Sequence, residues 1–208
     1  MREPITTADR RLILLVVAVV VLSLLYAGRN YNAAFPQASL DLRISRQEIT
    51  TRAESFLKTL HLRPNGFRNL TLFDPDEDAR LFLEREVGLE KANQLMAGEV
   101  AVWQWRVRWY KPPEKEEMVV YLSPDGRLTG FDHVIGETDP GKSLEPAAAR
   151  QIAERFLRQQ SILAHRLVGE QKEQRPGRTN YIFTWEREGF TIQQATYRRT
   201  IVVHGDRV

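Results

Sequence analysis

Apolar and polar positions fall into three patterns along this chain: an unbroken apolar run near the N-terminus, two apolar stripes at helical spacing, and two-residue alternation after each stripe. The run from Leu12 to Ala27 reads LILLVVAVVVLSLLYA, sixteen residues without a charge. At ~1.5 Å rise per residue it makes about 24 Å of helix, somewhat short of the ~30 Å hydrocarbon core of a bilayer. Arg11 and Arg29 can snorkel to the two interfaces, Tyr26 suits the headgroup level, and Gly28 extends the uncharged run. No face of the run is polar, which argues against a buried helix of a soluble protein. A cleaved signal peptide shares the basic start, but its apolar middle usually spans ~7 to 15 residues. Here Arg29, Asn30 and Tyr31 also precede the first plausible cleavage site, at Asn32-Ala33-Ala34, so an uncleaved anchor is favoured. Arg2, Arg10 and Arg11 lead into the run and only Arg29 follows closely. The charge bias expects a single-pass cell-membrane protein, with its N-terminus cytoplasmic and its soluble region outside.

The two stripes predict two helices. After the polar, Pro-interrupted stretch Asn30 to Leu42, Ser45 and Glu48 form a capping-box pair, and Ile49, Ala53, Phe56, Leu57 and Leu60 share one face. The same face recurs one hundred residues later: Ala53, Glu54, Phe56 and Leu57 match Ala153, Glu154, Phe156 and Leu157, and Pro146 sits at a first helical position. Both phenylalanines are expected at equivalent buried positions.

Alternation follows each helix. Trp103, Trp105, Val107 and Trp109 alternate with Gln104, Arg106 and Arg108, the period of a strand with one buried face. Met118 to Leu122, a Pro124-Asp125-Gly126 turn and a strand ending at Val134 complete this first meander. In the second, Tyr181, Phe183 and Trp185 alternate with polar residues, Gly189 interrupts, Tyr197 to Val203 is a strand, and His204-Gly205-Asp206 turns toward Arg207-Val208. The pattern predicts an α+β fold: an N-terminal transmembrane helix followed by two helix-plus-antiparallel-sheet modules. Asp74 to Ala97 is a helical insertion in the first module, divided by Gly88. The expected domains are a tail and anchor over 1–29, a juxtamembrane linker over 30–43, a first module over 44–142 and a second over 143–208. The second hairpin lacks the strand that follows the equivalent turn in the first, so the chain is expected to be the N-terminal part of a longer protein, with an open sheet edge.

Composition narrows the function classes. A hydrophobic fraction of 42% with 27% charged residues suits a folded domain rather than a disordered one. The net charge of +3 arises from 30 basic and 27 acidic residues that are interspersed, so a nucleic-acid partner is not expected. Cysteine is absent, which removes disulfides, thiolate metal sites and cysteine nucleophiles. His61, His133, His165 and His204 are isolated in sequence, without metal-ligand spacing. Asp74, Asp76, Glu77 and Asp78 lack the glycine and distal glutamate of a calcium loop and are read as favouring a helix N-terminus. The alternating tryptophans are read as core, with Arg106 and Arg108 on the solvated face. No catalytic, cofactor-binding or metal-binding residue is assigned. The expected partners are the lipid bilayer, through Leu12 to Ala27, and a peptide or protein.

The residues Ala53-Glu54-Ser55-Phe56-Leu57 with Ser123-Pro124-Asp125-Gly126-Arg127, and Ala153-Glu154-Arg155-Phe156-Leu157 with His204-Gly205-Asp206-Arg207, resemble PepSY-like modules of exported and membrane-tethered bacterial proteins. Together with the anchor and the inserted LFLEREVGLEKANQLM segment, the chain resembles the N-terminal extension of bacterial CPBP-type intramembrane metalloproteases, the CAAX protease and bacteriocin-processing family. That family's catalytic helices carry an E-E-x-x-x-R motif, whereas Glu116-Glu117 here are followed by Met118 to Tyr121 in a strand context. The resemblance therefore brings no catalytic residue to this chain. Three readings stay open: a non-catalytic regulatory region of a larger membrane protease, a freestanding anchored binding or inhibitory module, and an anchored hydrolase.

Overall fold

The computed structural model describes residues 6–35, 40, 42–160 and 165–208. Arg2 of the N-terminal flank and, in the linker, residues 36–39 and Asp41 lie outside the described residues. The chain divides into two compact units, one comprising Met1–Asp41 with Asp76–Val102 and the other Leu42–Pro75 with Trp103–Val208.

In the first unit, helix α1 runs Thr7–Ala34, opened by a capping box in which Thr6 and Asp9 each satisfy the other's backbone amide. Its 28 residues reach about 42 Å at ~1.5 Å each, with the apolar run at its centre and charged or polar residues toward both ends. The segment Thr7–Tyr31 is long and apolar enough to cross a membrane, and none of its most apolar window is buried. The helix continues through the candidate cleavage site at Asn32-Ala33-Ala34. Helices α3 (Glu77–Val87) and α4 (Leu89–Met96) form the insertion. They part at Gly88, whose φ of +77° a side chain would resist. Asp76 caps α3 by accepting from the Ala79 amide, and Glu77 pairs with Arg80, so these carboxylates serve the helix start as expected.

The second unit is mixed α+β. Sheet 1 has the order β1-β2-β3-β4 (Arg68–Phe73, Trp105–Tyr110, Glu117–Leu122, Leu128–Val134), antiparallel throughout. Helix α2 (Arg46–Thr59), capped by Ser45, lays Ile49, Ala53 and Leu57 on Trp105, Val107, Trp109, Met118, Val120 and Leu122. Sheet 2 has the antiparallel order β5-β6-β7 (His165–Arg175, Arg178–Ile192, Ala195–His204). Helix α5 (Pro146–Gln159) lays Ala149, Ala153 and Leu157 on Tyr181, Phe183, Trp185, Ile201 and Val203.

Three differences from the sequence reading have physical causes. Phe56 and Phe156 are half-buried, because the helix stripe is centred on Leu57 and Leu157, which are buried. Gly189, with φ +69°, breaks the pairing register between Glu186 and Thr191 but not the strand, since β6 runs on to Ile192. Strands β1 and β5 were not expected: as outer strands they bury little, with Thr71 alone buried in β1 and no residue fully buried in β5.

Candidate functional site along an open sheet edge

A cavity of about 650 Å³ lies within the second unit, inside the ~300–1,000 Å³ range of ligand sites. Residues 128–134 of β4 all line it, as do residues 197–202 and His204 of β7. Successive residues of a strand point to opposite faces, so consecutive residues can line one cavity only along the strand's edge. Both strands are outermost in their sheets and do not pair with each other. The cavity is therefore bordered by backbone donors and acceptors that no neighbouring strand satisfies among the described residues.

Its walls follow from strand alternation. β2 turns Trp105, Val107 and Trp109 toward α2, which sends Arg106 and Arg108 to the other face, where β1 pairing adds Leu72 and Leu70 beside them. Val119, Tyr121 and Asp132 share that face. Across the cavity, α5 contributes Phe156, Leu157 and Gln160. The mouth of the cavity thus combines aromatic and aliphatic surface with an edge that can accept a chain.

Most charges around it are paired. Arg106 meets Asp74 at 3.2 Å, Arg108 meets Glu117, and Arg198 meets Glu186 at 3.2 Å. Thr196 and Arg198 hold the Glu186 carboxyl below its usual range. Burial, then the Asp132 carboxylate, push the Tyr121 phenol up to about 12, so it stays a neutral donor to Asp132 at 3.0 Å. Arg199 is the exception. Its guanidinium lies over the Tyr197 ring at 5.4 Å and donates to the Tyr197 hydroxyl at 3.5 Å. Its Nε is buried with no hydrogen-bond partner among the described residues.

Two of the four histidines, isolated in sequence, meet here. His133 bonds Glu116 at 3.0 Å, and His204 is half-buried on the same cavity. Burial, then Arg178 and His133, depress the His204 pKa and keep it neutral near pH 7. Trp105 and Trp109 sit in the core under α2 as read from their alternation, whereas Trp103 precedes β2 and is buried in a stack on Phe73. The sequence reading missed the roles of Phe156, Arg199 and β1.

Comparison with known proteins finds no matching family model, curated protein or solved structure.

Proposed function

We propose that this chain is a membrane-anchored, non-catalytic binding region, held outside a cytoplasmic membrane by α1, that receives a peptide or protein partner. In this reading the layers α2 with sheet 1 and α5 with sheet 2 are copies of one module. The observation that carries it is the cavity of about 650 Å³, bordered by the outer strand β4 and lined by aliphatic, aromatic and arginine side chains. Exposed edges accept extended partners through main-chain hydrogen bonds, with flanking pockets supplying selectivity. The long apolar helix supports anchoring, and the arginine bias across it supports the orientation. The sequence resemblance supports placing the region at the N-terminus of a CPBP-type intramembrane metalloprotease, where partner binding would regulate the enzyme. Among the described residues no group of three or more His, Asp or Glu side chains converges as metal-assisted hydrolysis demands.

The test places a photo-crosslinking residue at Thr200, on the β7 edge, and as a control at Gln171 of β5, in membranes from cells expressing the full chain. Polypeptide adducts should form from Thr200 and not from Gln171. External protease should digest the region beyond about residue 42 only once outer layers are permeabilised. A soluble mature chain beginning near Ala33, or chelator-sensitive peptide hydrolysis by the purified chain, would refute the reading.

A further inference from the structure

Resting on the anchoring role proposed above, we propose that the α3–α4 insertion docks on the membrane leaflet at which α1 emerges, turning Leu81, Phe82 and Leu89 into the boundary between headgroups and acyl chains. Leu83 marks the buried side of α3, and at ~100° per residue the two residues before it turn outward. Both are apolar and both are exposed, as is Leu89 at the start of α4. The outer face of a surface helix is ordinarily polar. Helices α3 and α4 hold 11 and 8 residues, below the ~12–15 that an isolated helix needs in water. Among the described residues neither belongs to the apolar clusters under α2 and α5. Exposed apolar side chains on short helices with so little core of their own mark a contact surface.

The same unit points to the occupant. Helix α4 packs on the end of α1, where Asn93 Nδ2 donates to the Phe35 carbonyl oxygen at 3.5 Å. Phe35 lies seven residues past Gly28, the last of the uncharged run. At ~1.5 Å per residue that is about 10 Å, against ~5–8 Å for one headgroup layer. A helix of ~10–12 Å diameter packed there rests on the headgroups. Tyr31 and Phe35, with ring centroids 4.9 Å apart, are exposed at the same end of α1. Aromatic side chains collect at this level of a bilayer.

Charge separates two ways of docking. The two helices carry five carboxylates against three cations. Arg80 pairs with Glu77 and Glu84, and Arg85 with Glu86. Attraction to anionic headgroups, which needs a surplus of basic residues, therefore does not hold the insertion down. Burial of the three apolar side chains does.

Because the chain has no cysteine, the experiment places one environment-sensitive label per full chain, in nanodiscs of neutral lipid. The sites are Phe82→Cys, Leu89→Cys, Ser23→Cys in α1 and Lys172→Cys in β5. Lipids spin-labelled at the headgroup or along the acyl chain then read depth by quenching. Labels at positions 82 and 89 should lie about 5–10 Å into the boundary, the label at 23 deeper, and the label at 172 outside. Leu81→Glu added to Leu89→Cys should abolish quenching there. Labels on two helices keep the test decisive where one substitution misfolds. If positions 82 and 89 stay unquenched while position 23 is quenched, this proposal falls and the anchor stands; an unquenched position 23 overturns both. Quenching that needs anionic lipid, or is lost in high salt, overturns the proposal in favour of charge-held docking. Shielding from a water-soluble quencher that grows with the number of chains per disc, without lipid quenching, overturns it in favour of a second copy.

Discussion

Arg178 gives the sharpest test of how the second unit is held together, and Arg178→Ala is expected to destabilise it by ~2–4 kcal/mol. The residue is 3% exposed at the start of β6. Its Nε donates to Asn180 Oδ1 at 3.0 Å, and one Nη donates to the carbonyl oxygens of Gly136, at 3.0 Å, and Asp139. The cation thus ties the segment between β4 and α5 onto sheet 2. That segment is also fastened by Gly141 N–H to Gly177 O and by Thr179 N–H to Lys142 O. Hydrogen bonds to a charged group contribute about 1.5–3 kcal/mol each, and a buried acceptor left unpaired costs about 1–3 kcal/mol. Removing the arginine removes the cation with its bonds, so no buried charge is orphaned, and the two carbonyls are only part-buried and recover some hydration. These corrections bring the sum of three bonds down to the stated range. Arg178→Lys keeps the charge but not the forked donor and should cost about half as much. The assay is denaturant unfolding of the full chain in mild detergent, followed by tryptophan fluorescence, with Trp185 in the same sheet as reporter. An Ala variant within about 0.5 kcal/mol of the parent, or a Lys variant as damaging as Ala, would refute this account.

The helix faces can be ranked by truncation. Leu57→Ala and Leu157→Ala should each cost ~2–5 kcal/mol, and Phe56→Ala and Phe156→Ala less because both rings are half-buried. The reverse order in the same unfolding assay would show the stripes to be misassigned. For His204, whose pKa is lowered by burial and by Arg178, the unfolded chain takes up the proton more readily than the folded one. Stability is therefore full above the ordinary histidine value of ~6.5 and declines as pH falls through it. His204→Gln should flatten the part of the melting-temperature profile below pH ~6.5, and unchanged slopes in parent and variant would exclude the histidine as the cause.

Local pattern was enough for the elements whose signals are short-range. An unbroken apolar run made α1, a Ser45 cap opened α2, Pro146 at the first helical position opened α5, and the positive φ that Gly88 tolerates divided α3 from α4. Alternation placed Trp105, Trp109 and Trp185 under the helices, because a period of two leaves each strand only one buried face. Tertiary structure decided what depends on neighbours. β1 and β5 are strands because β2 and β6 offer edges to pair with, not because their own residues favour burial. The Gln193-Gln194 turn between β6 and β7 has no glycine to announce it, and Gln193 takes φ +54° only because the two strands impose it. Phe156 and Arg199 come to one cavity because α5 packs on the sheet that contains β7, and no local sequence signal carries that.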